Sequence, residues 1–431
     1  MIKEQIFIKK LENFTNSYPR LIDLSLTRVL KLLERLGNPH LNLPPVIHVA
    51  GTNGKGSTIA FIANALIKNN KKVHIYTSPH LVSVKERIVI SNRQASLDEL
   101  IDALEFCAEV NNDNPITQFE MLTVVAFYMM ARVPADISII ETGLGGRLDA
   151  TNVILKPMLT VITSISYDHM EFLGNKIELI AKEKAGILKN NVLSISAPQE
   201  YNVEKVLNEE AIKVGAKILL YGKDWKLFKN SKLNKIKYFD KSFYFSQPSL
   251  IGNHQIINAS LAIVALLCCK NLKLSFDKIR EGIINTKWPG RLEKIKEGKI
   301  RDLVHISSEI WLDGGHNISG AKVILEWIKL YNIDYKSVIL ICGFLKNKDV
   351  KNILSIFKNG VDKIIFVPIS DTKNYYSNNY LLKVSSHLNI DCSSSESLFS
   401  AISSIKNIKN SMILIFGSLY LIGEAYKINK N

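Results

Sequence analysis

Short runs of β-branched residues alternate along this chain with longer segments whose apolar residues recur at helical spacing. Strands are predicted at residues 46–50, 73–77 and 136–141, with helices at 59–68 and 97–110 between them. Because strands that alternate with helices pair in parallel, the pattern predicts a mostly parallel β-sheet covered by helices on both faces.

The alternation continues without a break and extends the same domain. Further strands are predicted at 159–165 and 192–197, and further helices at 177–189, 203–214, 254–269 and 276–284. The text between Tyr221 and Gln247 is different, because it is aromatic, lysine-rich and irregular. It predicts short antiparallel strands at an edge of the sheet.

A second, smaller α/β domain is predicted near the end of the chain. Its strands are expected at 309–313, 337–343, 363–369 and 411–417, and its helices at 318–331 and 350–357. Proline and glycine stand side by side in Trp288–Arg291, which is typical of a linker. The predicted organisation is an N-terminal domain over 1–287, a linker over 288–300 and a C-terminal domain over 301–431.

Composition narrows the class of protein. The 431 residues are 47% hydrophobic and 22% charged, which is globular composition and excludes a disordered or fibrous chain. The net charge of +15 fits nucleic acid, an anionic membrane surface or small anions, but dispersed lysines on a solvated surface explain it equally well. The first residues lack a signal peptide and no long apolar run follows, so we expect a soluble cytoplasmic protein.

The sharpest local signal is a glycine-rich loop between a predicted strand and a predicted helix. In this context backbone N–H groups cradle phosphate, and Lys55 would reach the β- and γ-phosphates of a nucleotide. The alternative is a plain glycine-rich turn, since the spacing departs from G-x-x-x-x-G-K-[ST]. The candidate nucleotide-binding residues are Gly51, Thr52, Asn53, Gly54, Lys55, Gly56 and Ser57.

Polar residues follow three other predicted strands. Glu141 ends one strand and precedes a glycine-rich loop, while Ser78 and His169 follow two more. Ligands of open α/β sheets sit at the carboxyl ends of strands, and oxygen donors suit Mg²⁺, so these residues are metal candidates. The alternative for Glu141 is a carboxylate that braces the loop.

Eight motifs in order carry a resemblance to a known family. GTNGKGS, TSPHL, FEMLT, ETGLGGRLDATN, SISYDHMEFLG, KEKAGI, WPGRLE and LDGGHN resemble the folylpolyglutamate synthase and dihydrofolate synthase proteins, within the wider Mur ligase family. The resemblance runs from about Ile22 to Tyr420. Two departures are Gly315, where alanine is usual, and the variant segment Cys342–Asp349.

The resemblance implies an N-terminal P-loop ATPase domain and a Rossmann-like C-terminal domain, with the active site in a cleft between them. Asn258, Arg291 and Asp313 match ATP-contacting positions, and Lys55, Lys184 and His316 are the catalytic candidates. Gly417 and Ser418 are candidates for placing glutamate, and the alternative is a plain strand-to-helix turn. The implied pterin and substrate residues are Asp23, Phe119, Glu120, Arg147, Leu148 and Asp149.

The implied cofactors are ATP and one or two Mg²⁺ ions, with K⁺ as a further candidate. Ser78, Glu141, His169 and Lys184 would hold the metal. Lys184 matches a lysine that the family carries as N6-carboxylysine, which makes a cation into a carboxylate-like ligand. Without that modification, Lys184 would be interpreted as a solvated helix lysine.

The implied reaction is ATP-dependent addition of L-glutamate to dihydropteroate and to tetrahydrofolate through an acyl phosphate. Alternatives are polyglutamylation only, a Mur-type cell-wall ligase, a generic P-loop kinase or ATPase, and a basic nucleic-acid binder. The segment Ile22–Arg28 resembles bifunctional members and favours both activities. We expect small-molecule substrates, no nucleic-acid or membrane partner, and a monomer.

Overall fold

The computed structural model describes residues 2–15, 23–331, 335–370, 372–388 and 390–430. The described chain divides into two compact units. The first unit contains Met1–Ser166, Met170–Ser249 and Ile256–Thr286, and the second contains Tyr167–His169, Leu250–Gln255 and Lys287–Asn431. Residues 288–300 therefore lie within the second unit, and the domain boundaries drawn from sequence stay a prediction.

An eight-stranded sheet forms the centre of the first unit. Its strands are β1 (Val46–Ala50), β2 (Val73–Tyr76), β3 (Ile88–Ile90), β4 (Arg93–Gln94), β5 (Ile137–Glu141), β6 (Leu159–Ile162), β7 (Leu193–Ser196) and β8 (Lys217–Leu219). They lie in the order β4-β3-β2-β5-β1-β6-β7-β8. All neighbours pair in parallel except β2 with β3 and β3 with β4. The predicted mostly parallel sheet is confirmed.

Helices connect and cover these strands. They are α1 (Ile2–Thr15), α2 (Thr27–Arg35), α3 (Lys55–Lys68), α4 (Leu97–Asn111), α5 (Gln118–Ala131), α6 (Met170–Leu173), α7 (Ile177–Ala185), α8 (Tyr201–Val214), α9 (Asn253–Cys268) and α10 (Phe276–Ile284). Capping boxes at Ser96 and Thr117 begin α4 and α5, each with a glutamate three residues later. Gly282 lets α10 approach the α3 backbone, since a Cβ there would lie 2.4 Å from the Ala65 Cα.

The lysine-rich text after Tyr221 folds into a sheet of its own. Strands β9 (Trp225–Phe228), β10 (Asn234–Tyr238) and β11 (Lys241–Phe245) are antiparallel, with β10 in the middle. The prediction of antiparallel strands is confirmed, but their place at an edge of the large sheet is wrong. Trp225, the first residue of β9, is buried and donates from Nε1 to the Ser196 carbonyl at 3.1 Å.

The second unit is built on a six-stranded sheet. Its strands are β12 (Glu293–Lys294), β13 (Glu309–Asp313), β14 (Ser337–Cys342), β15 (Lys363–Phe366), β16 (Asp391–Ser394) and β17 (Ser411–Phe416), in the order β12-β13-β17-β14-β15-β16. Only β12 is antiparallel to its neighbour among these described strands. The helices are α11 (Lys299–Asp302), α12 (Ile318–Tyr331), α13 (Val350–Ile356), α14 (Asn378–Ser385), α15 (Leu398–Ser404) and α16 (Leu419–Lys430).

Among the described residues, no helix is both long enough and apolar enough to cross a membrane. The five cysteines are free thiols.

A buried histidine lies in the central strand β1, directly before the glycine-rich loop. His48 Nε2 lies 2.8 Å from Thr151 Oγ1, and that hydroxyl lies 2.5 Å from Asp149 Oδ1. Because Thr151 donates its hydrogen to the carboxylate, it accepts one from Nε2 of a neutral imidazole. Burial, followed by the charge of Lys189, lowers the pKa of His48 to about 3.

This histidine makes stability depend on pH. Between about pH 6.5 and pH 3 the unfolded chain binds a proton on His48 that the folded chain does not. We therefore expect the free energy of unfolding to fall as pH falls through this range, by up to about 1.4 kcal/mol per pH unit from this group. Urea unfolding followed by circular dichroism at several pH values measures it.

The variant His48→Gln supplies the comparison, because its amide can still donate to Thr151 but does not titrate. Its stability should decline less steeply over the same range than that of the unmodified chain. Equal slopes in the two proteins would contradict the assignment.

Candidate active site

The glycine-rich loop between β1 and α3 is fastened to the segment that follows β6. The N–H groups of Thr52 and Asn53 both donate to the Ser164 carbonyl, at 2.8 and 3.1 Å. The Thr52 hydroxyl donates to the Ser166 carbonyl at 3.0 Å and accepts from the Ser166 N–H at 3.1 Å. Gly51 has φ +150, and a Cβ on it would overlap the Thr163 side chain at 1.8 Å. The loop is therefore held in one shape by backbone contacts.

Two lysines share one carbonyl of this loop. Lys55 Nζ lies 3.2 Å from the Gly51 oxygen, and Lys184 Nζ, from α7, lies 2.9 Å from the same oxygen. Lys184 is only 5% exposed, so the interpretation of a solvated helix lysine is wrong. Burial of an ammonium group is costly unless it is well paired, so this position suits a lysine with a special function.

The carboxylate predicted to bind metal lies beside these lysines. Glu141 ends β5, is 5% exposed, and has Oε1 at 3.9 Å from Lys55 Nζ. Its other oxygen accepts from the Ser78 N–H at 3.1 Å. The glycine-rich loop thus has four candidate residues around it, namely Ser78, Glu141, Lys55 and Lys184.

This donor set fits magnesium. No group of three histidine, cysteine, aspartate or glutamate residues that could hold a metal occurs in the described part of the chain. Mg²⁺ does not need such a group, because it is usually held by one or two carboxylates together with water and substrate phosphates. Glu141 and the Ser78 hydroxyl are the hard oxygen donors that this chemistry requires.

The loop after β5 docks backbone to backbone on α7. The Arg147 N–H donates to the Glu183 carbonyl at 2.7 Å, and its side chain pairs with the Glu183 carboxylate at 2.8 Å. A Cβ at Gly146 would lie 2.7 Å from the Glu183 carbonyl oxygen, and one at Gly186 would lie 2.3 Å from the Arg147 Cα. Glycines are required for this approach, which also sets the place of Lys184.

Asp149 and Leu148 close the same loop. The buried Asp149 carboxylate accepts from the N–H groups of Leu144 and Thr151, at 2.7 and 3.0 Å. Burial raises the pKa of Asp149, and these hydrogen bonds oppose the rise. The geometry makes Asp149 a brace of the loop, while half-buried Leu148 and exposed Arg147 are better placed to meet a ligand.

The candidate pterin residues are joined by an arginine that the sequence analysis did not single out. Arg28 Nη1 pairs with Asp23 at 2.9 Å, and Arg28 Nε and Nη2 form a fork with Glu120 at 2.9 to 3.1 Å. Glu120 also accepts from the Thr117 N–H, so it caps α5. Phe119 lies against Gly143, where a Cβ would be 2.3 Å from the ring. Ile22, the first residue of the predicted segment, lies outside the described residues.

Asn258 lies against the glycine-rich loop in the first unit. A Cβ at Gly54, which has φ +87, would lie 2.5 Å from Asn258 Oδ1. The predicted ATP-contacting position is thus next to the start of α3.

The second unit gathers its predicted residues at the carboxyl end of β13. Asp313 accepts from the Leu292 N–H at 2.9 Å and from the Gly315 N–H at 2.7 Å. Burial raises the pKa of Asp313, and the charge of Arg291 opposes the rise. His316 Nδ1 lies 2.9 Å from the Gly314 carbonyl oxygen.

Asp168 is a half-buried centre of charge that the sequence analysis missed. It pairs with Lys348 at 2.7 Å, with His316 Nε2 at 3.3 Å and with the His169 N–H at 3.0 Å. Burial would raise the pKa of Asp168, but His316, Lys348 and His169 together hold it well below its usual range. Two features of the sequence could have indicated a role for Asp168. It is adjacent to the metal candidate His169, and the variant segment Cys342–Asp349 contains a lysine, Lys348.

Comparisons with known proteins cover nearly the whole chain. Residues 49–266 match the Mur ligase middle domain, and residues 296–428 match the dihydrofolate synthetase C-terminal domain. A probable dihydrofolate synthetase of Schizosaccharomyces pombe is 33% identical over 95% of this chain and 99% of its own. The chain belongs to the dihydrofolate synthase/folylpolyglutamate synthase family.

Other members of this family are similar along their full length. A dihydrofolate synthase/folylpolyglutamate synthase of Bacillus subtilis is 33% identical over 93% of this chain and 94% of its own. The structure of E. coli FolC in complex with DHPP and ADP has a TM-score of 0.88 at 27% identity, covering 98% of this chain and 97% of that one. The predicted two-domain α/β fold of a Mur-type ligase is confirmed.

A further family structure contains the expected kinds of ligand. It is a bifunctional folylpolyglutamate synthase/dihydrofolate synthase with Mn, AMPPNP and L-glutamate bound. Its TM-score is 0.84 at 25% identity, and the match covers 97% of each chain. As a member of this family, the chain is an ADP-forming ligase, while the roles of individual residues stay predictions.

The docking of the β5 loop on α7 can be tested with Gly146→Ala. The new methyl group meets the Glu183 and Lys184 backbone, which cannot move as a flexible side chain would. We expect turnover to fall at least about tenfold, since small displacements of catalytic groups have effects of this size. Glu183→Gln is the control, because it weakens the exposed Arg147 pair and leaves the backbone contact in place. Equal activity in the two variants would refute the idea.

Proposed function

We propose that this chain adds L-glutamate to dihydropteroate and to tetrahydrofolate, with ATP converted to ADP and phosphate. The observation that carries the proposal is the convergence of Lys55, Lys184 and Glu141 at the phosphate loop. A carboxylate is a poor electrophile, so joining it to an amine requires activation as an acyl phosphate. The reaction therefore needs cations where the acceptor carboxylate meets the γ-phosphate of ATP, because both groups are anionic.

The residues of the first unit suit the activation step. In it the acceptor carboxylate attacks the γ-phosphorus and ADP leaves with the electron pair of the broken bond. Lys55 would turn from the Gly51 carbonyl to the phosphates, because a nucleotide offers stronger acceptors than a backbone oxygen. Mg²⁺ held by Ser78, Glu141 and Lys184 would supply charge screening and orientation of the phosphates. The fourth predicted ligand, His169, belongs to the second unit.

The second step is attack of the uncharged glutamate amine on the acyl carbon, followed by loss of phosphate. We assign His316 to this reaction, while Asn258, Arg291 and Asp313 keep their predicted role as nucleotide contacts. Support comes from the ordered turn at residues 313–316, which places the Asp313 carboxylate and the His316 imidazole at the end of β13. Exclusion of water would protect the acyl phosphate from hydrolysis.

Lys184 is proposed to act as N6-carboxylysine. Its burial and its distance of 2.9 Å from the Gly51 oxygen support a group that belongs to the site rather than to solvent. Carboxylation would remove one of two cations on that carbonyl and create an anionic metal ligand. K⁺ remains a candidate as a further ion, and a monomer remains the expectation.

Both synthase activities are favoured over polyglutamylation alone. The names of the Bacillus subtilis relative and of the Mn-containing structure include the two activities. The connection of Asp23 to Glu120 through Arg28 supports an ordered pterin site. A cell-wall substrate is disfavoured, because Mur-type cell-wall ligases resemble a shorter G-T-N-G-K-[ST] loop and lack the pterin-like segments of this chain.

Acceptor-dependent release of ADP tests the proposal. Purified protein is given ATP, Mg²⁺ and L-glutamate with dihydropteroate, with tetrahydrofolate or without acceptor, and product masses are measured. We expect turnover with each acceptor and a gain of one glutamate on each. Turnover with tetrahydrofolate alone would leave polyglutamylation only, while ADP release that ignores acceptor and glutamate would indicate a generic ATPase.

Substitutions at two residues, Lys55 and Glu141, test the cationic role and the metal-binding role separately. We expect Lys55→Ala and Glu141→Ala each to abolish turnover, because each removes a group that stabilises charge in the transition state. Glu141→Gln should in addition raise the Mg²⁺ concentration needed for half-maximal rate. Rates like those of the unmodified chain would exclude the residue concerned from its role.

A further inference from the structure

The three-stranded sheet β9–β11 has two faces of opposite character. One face is buried and mostly apolar, with Trp225, Leu227, Ile236, Phe243 and Phe245 beside the polar Asn234. Side chains alternate between faces along a strand, so the residues between these point to the other side. That outer face carries none of the residues assigned to the ligase reaction.

The register of the strands arranges the outer face in two rows. Lys235 on β10 pairs with Phe228 on β9 and Tyr244 on β11, which makes an aromatic–lysine–aromatic row. The next row is Lys226, Lys237 and Ser242. The rows lie about 7 Å apart, and the outer strands about 10 Å apart, as strand geometry requires.

The charge of this segment is strongly one-sided. Residues 221–245 contain seven lysines and two aspartates, with no arginine or glutamate. The aspartates, Asp224 and Asp240, both lie in turns beside the strands rather than on the outer face. Part of the net charge that was unexplained in the sequence is therefore concentrated at one surface.

The aromatic rings at this surface are open to solvent. Phe228 is 45% exposed and Tyr244 is 43% exposed, although Phe243 and Phe245, on either side of Tyr244 in β11, bury their rings. The Lys235 ammonium lies 6.0 Å from the Phe228 ring centre and 5.8 Å from the Tyr244 ring centre. Lys226 Nζ is a further cation, 5.6 Å from the Phe228 ring centre. Each exposed ring has a lysine ammonium beside it. A ligand that is both aromatic and anionic could therefore stack on the ring and pair with the lysine.

We propose that the outer face of the β9–β11 sheet binds single-stranded nucleic acid. Unpaired bases would stack on Phe228 and Tyr244 while Lys226, Lys235 and Lys237 pair with phosphates. Exposed aromatic residues on a sheet surrounded by basic residues recognise about two or three unpaired bases in this manner. A duplex keeps its bases stacked inside, and a lipid surface offers no rings, so a single strand fits the observations best. The site is independent of the proposed ligase function and departs from the expectation of no nucleic-acid partner.

The test measures fluorescence anisotropy of a short labelled oligothymidylate with the full chain, over about 50 to 200 mM salt. A ring variant, Phe228→Leu with Tyr244→Leu, keeps apolar bulk but loses the stacking surface. We expect it to weaken binding about fivefold or more per ring, with the salt dependence unchanged. A lysine variant, with glutamine at 226, 235 and 237, should reduce the slope of log affinity against log salt by about 2.

The matched control replaces three exposed lysines elsewhere, Lys205, Lys213 and Lys358, with glutamine. It has the same net charge as the lysine variant and should bind like the unmodified chain. All variants should retain acceptor-dependent ADP release, which reports that each is folded.

Three outcomes would overturn the proposal. They are no binding at low salt, equal loss of binding in the control and lysine variants, and full affinity in the ring variant. Competition by polyglutamate as effective as that by unlabelled oligothymidylate would also overturn it, because the surface would then be a general polyanion site.

Discussion

The carbonyl of Gly51 holds the candidate site of the first unit together, because two ammonium groups from different helices donate to it. Lys55 reaches it from the start of α3 and Lys184 from α7. The loop itself is fixed by the Ser164 carbonyl, so the lysines meet a stationary acceptor. Like charges this close repel, and the repulsion is reduced by the Glu141 carboxylate, by a bound anion or by a change in one of the lysines. Binding of phosphate and modification of Lys184 are two ways to satisfy the same constraint.

Much of the fold could be predicted from the spacing of apolar residues, because parallel strands are buried on both faces and stand out as short β-branched runs. Helix α12 and strand β13 have the predicted bounds. Helix α5 was not predicted, since its apolar residues surround it completely and leave no stripe at helical spacing. The lysine-rich sheet was misplaced because strand pairing depends on distant partners, which alternation along one strand does not report.

The strand ends marked the candidate site, since a parallel sheet brings its carboxyl ends to one edge. Glu141 and Ser78 meet for that reason. The burial of Lys184 could not be predicted, because it arises where Gly146 and Gly186 let a loop and a helix touch along their backbones. The links from Arg28 to Glu120 and from Asp168 to Lys348 cross 92 and 180 positions of sequence, so local pattern contains no sign of them.

The placement of Trp225 has a practical consequence for spectroscopy. The chain contains four tryptophans, and the other three, Trp288, Trp311 and Trp327, belong to the second unit. Trp225 alone reports on the first unit, from a buried position with its indole N–H bonded to the Ser196 carbonyl. Replacing it with phenylalanine leaves emission from the second unit only. The difference between the fluorescence spectra of the unmodified chain and of this variant is the tryptophan emission of the first unit. Each unit can therefore be followed separately by intrinsic fluorescence, without an attached dye.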